Sequence, residues 1–223
     1  MSRSGRCAWA ILVLAAIASG GGCRGSEASA VKQSPSGRAD FEDISVGMRA
    51  IDFALRDIRG RTQVLSELNR GRVVFLQFAS MSCPHYVNHL GEVGAVMLAH
   101  RTDDVMFVTV YTEEAHPEYL ADGERPKTWK DRRDLAARST YGYDYEEVGR
   151  RKHARGTKAP AFTNRITLVD EPPARVGGIY GYNRERACNP GFVLSREGAV
   201  VAKARLVTGA FLRKALAEAL SAR

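Results

Sequence analysis

Residues 73–84 read VVFLQFASMSCP. The first six positions are β-branched, aromatic or aliphatic apart from one glutamine, a pattern typical of a strand that is buried on both faces. The segment ends in Cys83-Pro84, and proline fits the first position of a helix because its missing N–H needs no partner there. Apolar side chains then recur at helical spacing from Val87 to about His100. The stretch therefore predicts a strand that passes directly into a helix, with Cys83 at the junction.

Elements on both sides of this junction predict an α/β sandwich, in which helices flank a mixed central sheet. An N-terminal hairpin, two more buried strands, three further helices and a C-terminal hairpin are expected. The strands are predicted at 51–55, 62–65, 105–111, 166–169, 192–194 and 199–201, and the helices at 127–138, 173–182 and 210–222.

The composition and charge restrict the kind of protein. A chain of 223 residues has room for one sizeable domain and a leader. The formal net charge of +8 suits an anionic membrane surface or anionic small molecules, although a solvated basic surface also accounts for it. No nucleic-acid recognition motif accompanies the charge, so nucleic acid is not predicted as a partner.

The N-terminus predicts export. Basic residues precede an apolar stretch at 8–18, which is shorter than the ~20 residues of a membrane span, so residues 1–22 are expected to be a signal peptide. Gly20-Gly21-Gly22-Cys23 resembles the lipobox of bacterial lipoproteins, which implies acylation of Cys23. Ordinary cleavage after Ala30 is the alternative. Either outcome places the mature chain on the periplasmic side of a bacterial membrane, and the first anchors it there by lipid.

The remaining chain divides into a tether and one domain. Residues 23–40 are rich in Gly, Ser and Ala without apolar periodicity, so we expect a flexible tether. The domain is predicted at 41–223. Within it, 141–162 is a long basic insertion with no evident partner element, either a functional lid or a solvated loop.

The four cysteines reduce to one candidate pair. Cys7 would leave with the signal peptide and Cys23 would carry lipid. Cys83 and Cys188 remain, in a compartment where disulfides can form. Two thiols are too few for a disulfide scaffold but sufficient for a redox pair.

Cys83 is the candidate nucleophile. At a helix N-terminus a thiol meets unpaired N–H groups and the positive end of the helix dipole, which favour the thiolate. A protonated His85 would add to this effect. The interpretation requires that Cys83 be accessible to a substrate; a small buried cysteine without chemistry is the alternative.

Two segments carry a resemblance to known families. The hairpin, the strand end at 78–80 and Cys83-Pro84 resemble the thioredoxin and peroxiredoxin superfamily, which implies a thioredoxin-like sandwich with an N-terminal β-hairpin extension. Within it, FASMSCP at 78–84 and VTVYTEEAHP at 108–117, followed by Asp122-Gly123, resemble the iodothyronine deiodinase family and its bacterial relatives.

The resemblance implies roles for individual residues. Cys83 would be the nucleophile, and His116 would transfer the proton, as its neutral-range titration suits. Glu114 would orient or charge-balance that imidazole, and Ser80 would hydrogen-bond near the leaving group. Met81 stands where the vertebrate enzymes carry a second Cys. Gly191-Phe192 stands where they carry an Arg after Pro, which the resemblance associates with substrate binding, so thyroid hormone is not implied as the substrate.

Cys188 is the second candidate cysteine. Asn189-Pro190 resembles the cis-proline element of thioredoxin folds, whose loop packs against the nucleophile. A cysteine two residues before Pro190 could then come within disulfide range of Cys83. We hypothesise that Cys188 resolves the oxidised Cys83, and a buried structural thiol is the alternative.

The sequence therefore predicts a thiol-dependent oxidoreductase that reduces a peroxide, a disulfide or a halogenated organic substrate. It needs no bound cofactor but requires an external thiol or a thioredoxin-like protein as reductant. A non-enzymatic metal-delivery or binding lipoprotein, with Cys83, His85 and His89 as ligands, is the alternative.

Overall fold

A computed structural model describes residues 39–101, 104–120, 125–141 and 164–222. The predicted signal peptide, Cys23, nearly all of the tether, Asp122-Gly123 and the basic insertion after residue 141 lie outside the described residues.

Seven strands and five α-helices follow one another along the described chain. The strands are β1 (Ala54–Asp57), β2 (Thr62–Val64), β3 (Val73–Ala79), β4 (Val105–Tyr111), β5 (Arg165–Val169), β6 (Gly191–Leu194) and β7 (Val200–Ala204). The helices are α1 (Leu65–Asn69), α2 (Pro84–Ala99), α3 (Trp129–Tyr141), α4 (Arg175–Ile179) and α5 (Gly209–Ser221). Short 3₁₀ turns lie at Phe41–Asp43 and Pro117–Tyr119.

All seven strands form one mixed sheet in the order β2-β1-β5-β4-β3-β6-β7. The central strands β3, β4 and β5 are parallel, whereas both outer hairpins pair antiparallel. The predicted α/β sandwich is therefore confirmed, including its parallel centre. Because β3 and β4 are parallel neighbours, their carboxyl ends, followed by Cys83 and by the 112–119 segment, meet at the same edge of the sheet.

Both faces of β3 are buried, as its sequence predicts. One face carries Phe78, which packs against Tyr180 and Phe192. The other face carries Phe75 and lies under α2 and α5. The strand that leads to Cys83 is thus held by packing on both sides, which makes the junction a rigid platform.

The first strand begins later than predicted. Asp52 accepts hydrogen bonds from the Ser66 backbone N–H (2.9 Å) and hydroxyl (2.7 Å), so this part of the chain is tied to the start of α1. Regular pairing with β2 begins only at Ala54. Within the described residues, no helix is long and apolar enough to cross a membrane.

Candidate active site

Cys83 is the N-cap residue of α2, and Pro84 is the first residue of that helix. The turn before it is closed by the Cys83 N–H, which donates to the Ser80 carbonyl at 3.2 Å. The backbone N–H groups of His85 and Tyr86 lower the pKa of the Cys83 thiol, although the Cys83 side chain accepts no capping hydrogen bond. The junction thus presents the thiol to the free donors of a helix N-terminus, as the sequence predicts.

The structure brings Cys188 to this junction. Its Sγ lies 2.7 Å from Cys83 Sγ, although 105 positions separate the two residues. This distance exceeds the ~2.05 Å of a disulfide bond, and both residues are free thiols. Two sulfurs this close need little rearrangement to become bonded.

The two thiols differ in their pKa values. The hydrogen bond from Cys188 lowers the pKa of Cys83 to about 7, with help from the helix N–H groups and from the charge of a protonated His116, and against the effect of burial. The same interaction raises the pKa of Cys188 well above its ordinary value. Cys83 is therefore the thiol that ionises first, and Cys188 is the one that keeps its proton.

The expectation that Cys83 is accessible is wrong in this arrangement. The residue has no exposed surface, because Tyr86, Leu90, Ala115 and Cys188 pack around it. Cys188 itself is half-buried. The cover is thus partly the second thiol.

Glu114 does not contact the imidazole of His116, contrary to the role expected for it. Its carboxylate is buried and accepts from the Ser82 hydroxyl (2.6 Å) and from the Tyr111 hydroxyl (2.7 Å). The β4 chain carries Glu114 inward, toward the β3–α2 loop. Its influence on His116 is indirect, because the Ser82 hydroxyl also accepts from the His116 backbone N–H at 3.1 Å.

The His116 side chain lies on the surface at the edge that also carries Cys83. Its Nδ1 is 3.1 Å from Glu118 Oε1, and its ring stacks on Tyr119 with centroids 5.1 Å apart. Glu118 is therefore the carboxylate that holds the ring. No hydrogen bond joins the imidazole to Cys83 in this part of the described chain, so their interaction is electrostatic.

Ser80 faces the interior rather than the space where a substrate would bind. Its hydroxyl accepts from the Ala115 N–H at 3.2 Å and lies 3.4 Å from the Ser82 hydroxyl. Tyr182, whose hydroxyl donates to the Glu113 carbonyl at 2.5 Å, is a neighbour of the same side chain. Ser80 therefore joins the Cys83 loop to the chain after β4, and the structure gives it no contact with the thiols.

Three residues of this buried network were not singled out by the sequence analysis. Tyr111 donates to Glu114 and accepts from the Met81 N–H at 3.1 Å, and Ser82 joins Glu114 to His116. Arg132 is buried on α3, where it donates to the Asp170 carbonyl and its charge lies near the carboxylates of Asp170 and Glu114. Tyr111 and Ser82 could have been found, since they belong to the quoted motifs. Arg132 could not, because its helix reads as solvated and basic.

The cis-proline expectation for Pro190 is wrong. Among the described peptide bonds the cis form occurs at Pro172-Pro173, not at Asn189-Pro190. The chain at Pro190 is already extended toward β6, and its carbonyl accepts from the Phe78 N–H at 2.9 Å. The loop nevertheless packs against the nucleophile, as the hypothesis for Cys188 requires.

The rings of His85 and His89 lie together, with centroids 4.2 Å apart, but the three candidate metal ligands do not form a site within the described residues. His85 Nε2 is 3.1 Å from the Val207 carbonyl, and His89 Nδ1 pairs with Glu92. No group of three or more His, Cys, Asp or Glu side chains is placed to hold a metal among the residues that the structure describes. The proposed set of Cys83, His85 and His89 is therefore not assembled.

Comparison with known proteins identifies the fold. No family model and no curated protein matches the sequence. The structure is similar to a protein of Chlorobium tepidum assigned as the thiol:disulfide interchange protein DsbE, at a TM-score of 0.54 and 18% identity over 80% of this chain and 99% of that one. It is also similar to a protein of Bacteroides thetaiotaomicron assigned as a protein disulfide isomerase. The TM-score is 0.53 and the identity 20%, over 79% of this chain and 91% of that one.

A third similar structure is that of an uncharacterized conserved protein of Geobacillus kaustophilus. Its TM-score is 0.52 and its identity 18%, over 81% of this chain and 84% of that one. The predicted thioredoxin-like fold is therefore confirmed. The resemblance to the deiodinase family stays a prediction, since these comparisons do not identify that family.

Proposed function

We propose that this protein is a thiol:disulfide oxidoreductase whose redox pair is Cys83 and Cys188. The observation that carries the proposal is the 2.7 Å separation of the two sulfurs, and the lowered pKa of Cys83 identifies it as the attacking sulfur. A thioredoxin-like fold supports it, because this fold positions a thiolate at a helix N-terminus.

In the first step Cys188 moves aside and the Cys83 thiolate attacks one sulfur of a substrate disulfide. The substrate S–S bond breaks, a mixed disulfide forms on Cys83, and the departing thiolate takes up a proton. His116 lies at the same edge and is our candidate for supplying that proton. Glu118, rather than Glu114, would hold its ring for this role.

In the second step Cys188 loses its proton and attacks the Cys83 sulfur. The second substrate thiol leaves, and the Cys83–Cys188 bond forms. The substrate has gained two electrons and two protons, and the protein has become a disulfide. An external thiol or a thioredoxin-like protein would return it to the dithiol, and export through the N-terminal signal would place this cycle outside the cytoplasm.

The burial of Cys83 favours a second candidate substrate, a peroxide. A molecule of this size needs less displacement of Cys188 than a protein disulfide does. The thiolate would attack one oxygen, the O–O bond would break, and an alkoxide or hydroxide would leave with a proton. Cys188 would then attack the sulfenic acid on Cys83 and release water.

The test uses the full chain with Cys7→Ser and Cys23→Ser, so that only the site cysteines react. The reduced protein is mixed with a peptide disulfide, hydrogen peroxide or an aryl iodide, and the loss of free thiols and the products are followed. We expect the peptide disulfide to oxidise the pair, Cys83→Ser to be inert, and Cys188→Ser to stop at a mixed disulfide on Cys83. Asn88→Ala, exposed on the same helix, is the control and should match the parent.

Faster oxidation by peroxide would favour the second candidate. Release of iodide would instead support the dehalogenase that the deiodinase resemblance implies. A pair that stays reduced with all three compounds would contradict the proposal.

A further inference from the structure

Two buried polar side chains pair between the apolar strand β3 and the residue that follows Cys188. Gln77 is in the middle of β3 and Asn189 follows Cys188, and both are buried. Gln77 Nε2 donates to Asn189 Oδ1 at 2.6 Å. Burying two amides costs free energy unless their hydrogen bonds are made, so their presence here needs a reason.

Asn189 is bonded through both its side chain and its main chain. Its Nδ2 donates to the Val207 carbonyl at 3.4 Å, and the Val207 N–H donates to the Asn189 carbonyl at 3.1 Å. The next residue, Pro190, accepts from the Phe78 N–H. The chain immediately after Cys188 is therefore fixed to β3 and to the segment that precedes α5.

The chain before Cys188 is also closed. Asn183 and Ala187 exchange backbone hydrogen bonds of 3.1 and 2.8 Å, which form a small loop that ends one residue before the cysteine. Cys188 thus lies between this closed loop and the fixed Asn189, and its sulfur is directed at Cys83 from a short, constrained segment.

The same carbonyl connects the two halves of the site. His85, in the first turn of α2, has its Nε2 3.1 Å from the Val207 carbonyl that also accepts from Asn189. The helix that carries Cys83 and the loop that carries Cys188 therefore share one acceptor.

We propose that Gln77 and Asn189 are positioning residues that hold Cys188 over Cys83 through their buried hydrogen bond. The inference rests on the proposed function of the two cysteines as a redox pair. The two amides touch no reacting atom, and they act by fixing where the Cys188 sulfur lies. Displacement of a reacting group by about 1 Å can lower its reactivity on the order of a hundredfold. Fixing the position of the Cys188 sulfur therefore affects how readily it bonds to Cys83.

The test replaces Gln77 by leucine in the full chain with Cys7→Ser and Cys23→Ser. Two quantities are measured: the equilibrium constant for forming the Cys83–Cys188 disulfide in glutathione buffers, and the pKa of Cys83 from the pH dependence of its alkylation. We expect Gln77→Leu to lower the constant roughly tenfold to a hundredfold and to raise the pKa of Cys83, because the Cys188 donor is displaced.

The matched control is Thr109→Val. Thr109 is also buried and polar, and it pairs in register with Gln77 on the neighbouring strand. Its replacement should leave both quantities unchanged. In a Cys188→Ala background, Gln77→Leu should no longer change the pKa of Cys83, since the proposed route runs through Cys188.

The double variant Gln77→Leu, Asn189→Leu separates positioning from stability. Replacing both partners by apolar groups restores much of the stability lost when one buried partner is left unpaired. Under the proposal this double variant still forms the disulfide poorly. If Gln77→Leu alone does not fold, the double variant provides the test. The proposal would be overturned if the double variant regained the parental equilibrium constant for disulfide formation. It would also be overturned if this constant in Gln77→Leu lay within twofold of the parental value.

Failure of the proposed function would look different. The parent protein would then form the disulfide in glutathione buffers but reduce no substrate, and the effect of Gln77→Leu on disulfide formation would remain.

Discussion

The Cys83 and Cys188 sulfurs lie 2.7 Å apart across 105 positions of the chain. A redox pair in which the two cysteines are near neighbours closes only a short loop. Here the bond would connect the start of α2 to the loop before β6, so the redox state of the pair is coupled to the stability of the fold.

Oxidation should therefore stabilise the protein substantially. A disulfide that closes a loop of about 100 residues is expected to add ~4–5 kcal/mol to the free energy of unfolding. Urea unfolding of the reduced and oxidised forms measures the difference. In Cys188→Ala the same oxidising treatment should leave the unfolding midpoint where it was, and equal midpoints for both redox forms of the parent would contradict the expected coupling.

Alkylation of Cys83 should depend on pH with a midpoint near 7 in the parent protein. Cys188→Ala removes the main donor and should raise that midpoint. At a pH where both proteins are fully ionised, Cys188→Ala should react faster, because the side chain that covers Cys83 is smaller. Iodoacetamide kinetics across the pH range measure both effects, and a faster parent at high pH would show that Cys188 does not limit access.

The stability of the reduced protein should rise with pH between about 7 and 9. The pKa of Cys83 is lower in the folded chain than its ordinary value of 9.0, so the unfolded chain binds more protons in this interval. The contribution is complete above the pKa of the unfolded thiol and is lost as the pH falls through about 7. Comparing the pH dependence of the free energy of unfolding between Cys83→Ala and the parent isolates this contribution. Parallel curves for the two proteins would show that the lowered pKa of Cys83 does not contribute.

Ser82→Ala should destabilise the fold by roughly 1–3 kcal/mol, because it leaves the buried Glu114 carboxylate without one of its donors. It also removes the acceptor for the His116 N–H. Ser221→Ala, at the exposed end of α5, is the matched control and should change the stability by less than about 0.5 kcal/mol. Equal losses in the two variants would show that the Glu114 network contributes little.

His116→Gln should slow substrate reduction by about a hundredfold or more if the imidazole supplies the proton to the leaving thiolate. Glu118→Gln should have a smaller effect of the same kind, since it removes the carboxylate that holds the ring. Disulfide formation at equilibrium should change far less than the rate in both variants. Single-turnover kinetics with a peptide disulfide give the rates, and a rate that survives His116→Gln would assign the proton transfer elsewhere.

The sequence was sufficient to predict the β3–α2 junction. An uninterrupted run of apolar residues has few alternatives to a buried strand, and Cys83-Pro84 marks the start of a helix by the chemistry of proline. The parallel pairing of β3 with β4 then places His116 at the same edge as Cys83 without further information.

The side-chain directions could not be predicted in the same way. Glu113 and Glu114 are adjacent and chemically identical, and only the course of the chain after β4 decides that Glu114 turns inward to Tyr111 and Ser82. The burial of Cys83 depends on a residue 105 positions away. Gln77 is visible in the sequence as a lone amide in an apolar strand, but its hydrogen-bond partner Asn189 is a long-range contact that the sequence does not indicate.

The central claim is that Cys83 and Cys188 form one redox pair. Intact-mass analysis and peptide mapping after oxidised glutathione treatment, on the full chain with Cys7→Ser and Cys23→Ser, test it most directly. We predict a monomer that has lost two hydrogens and a peptide in which Cys83 is bonded to Cys188. A stable glutathione adduct on Cys83 with Cys188 still free, or a disulfide between two copies of the chain, would contradict the account.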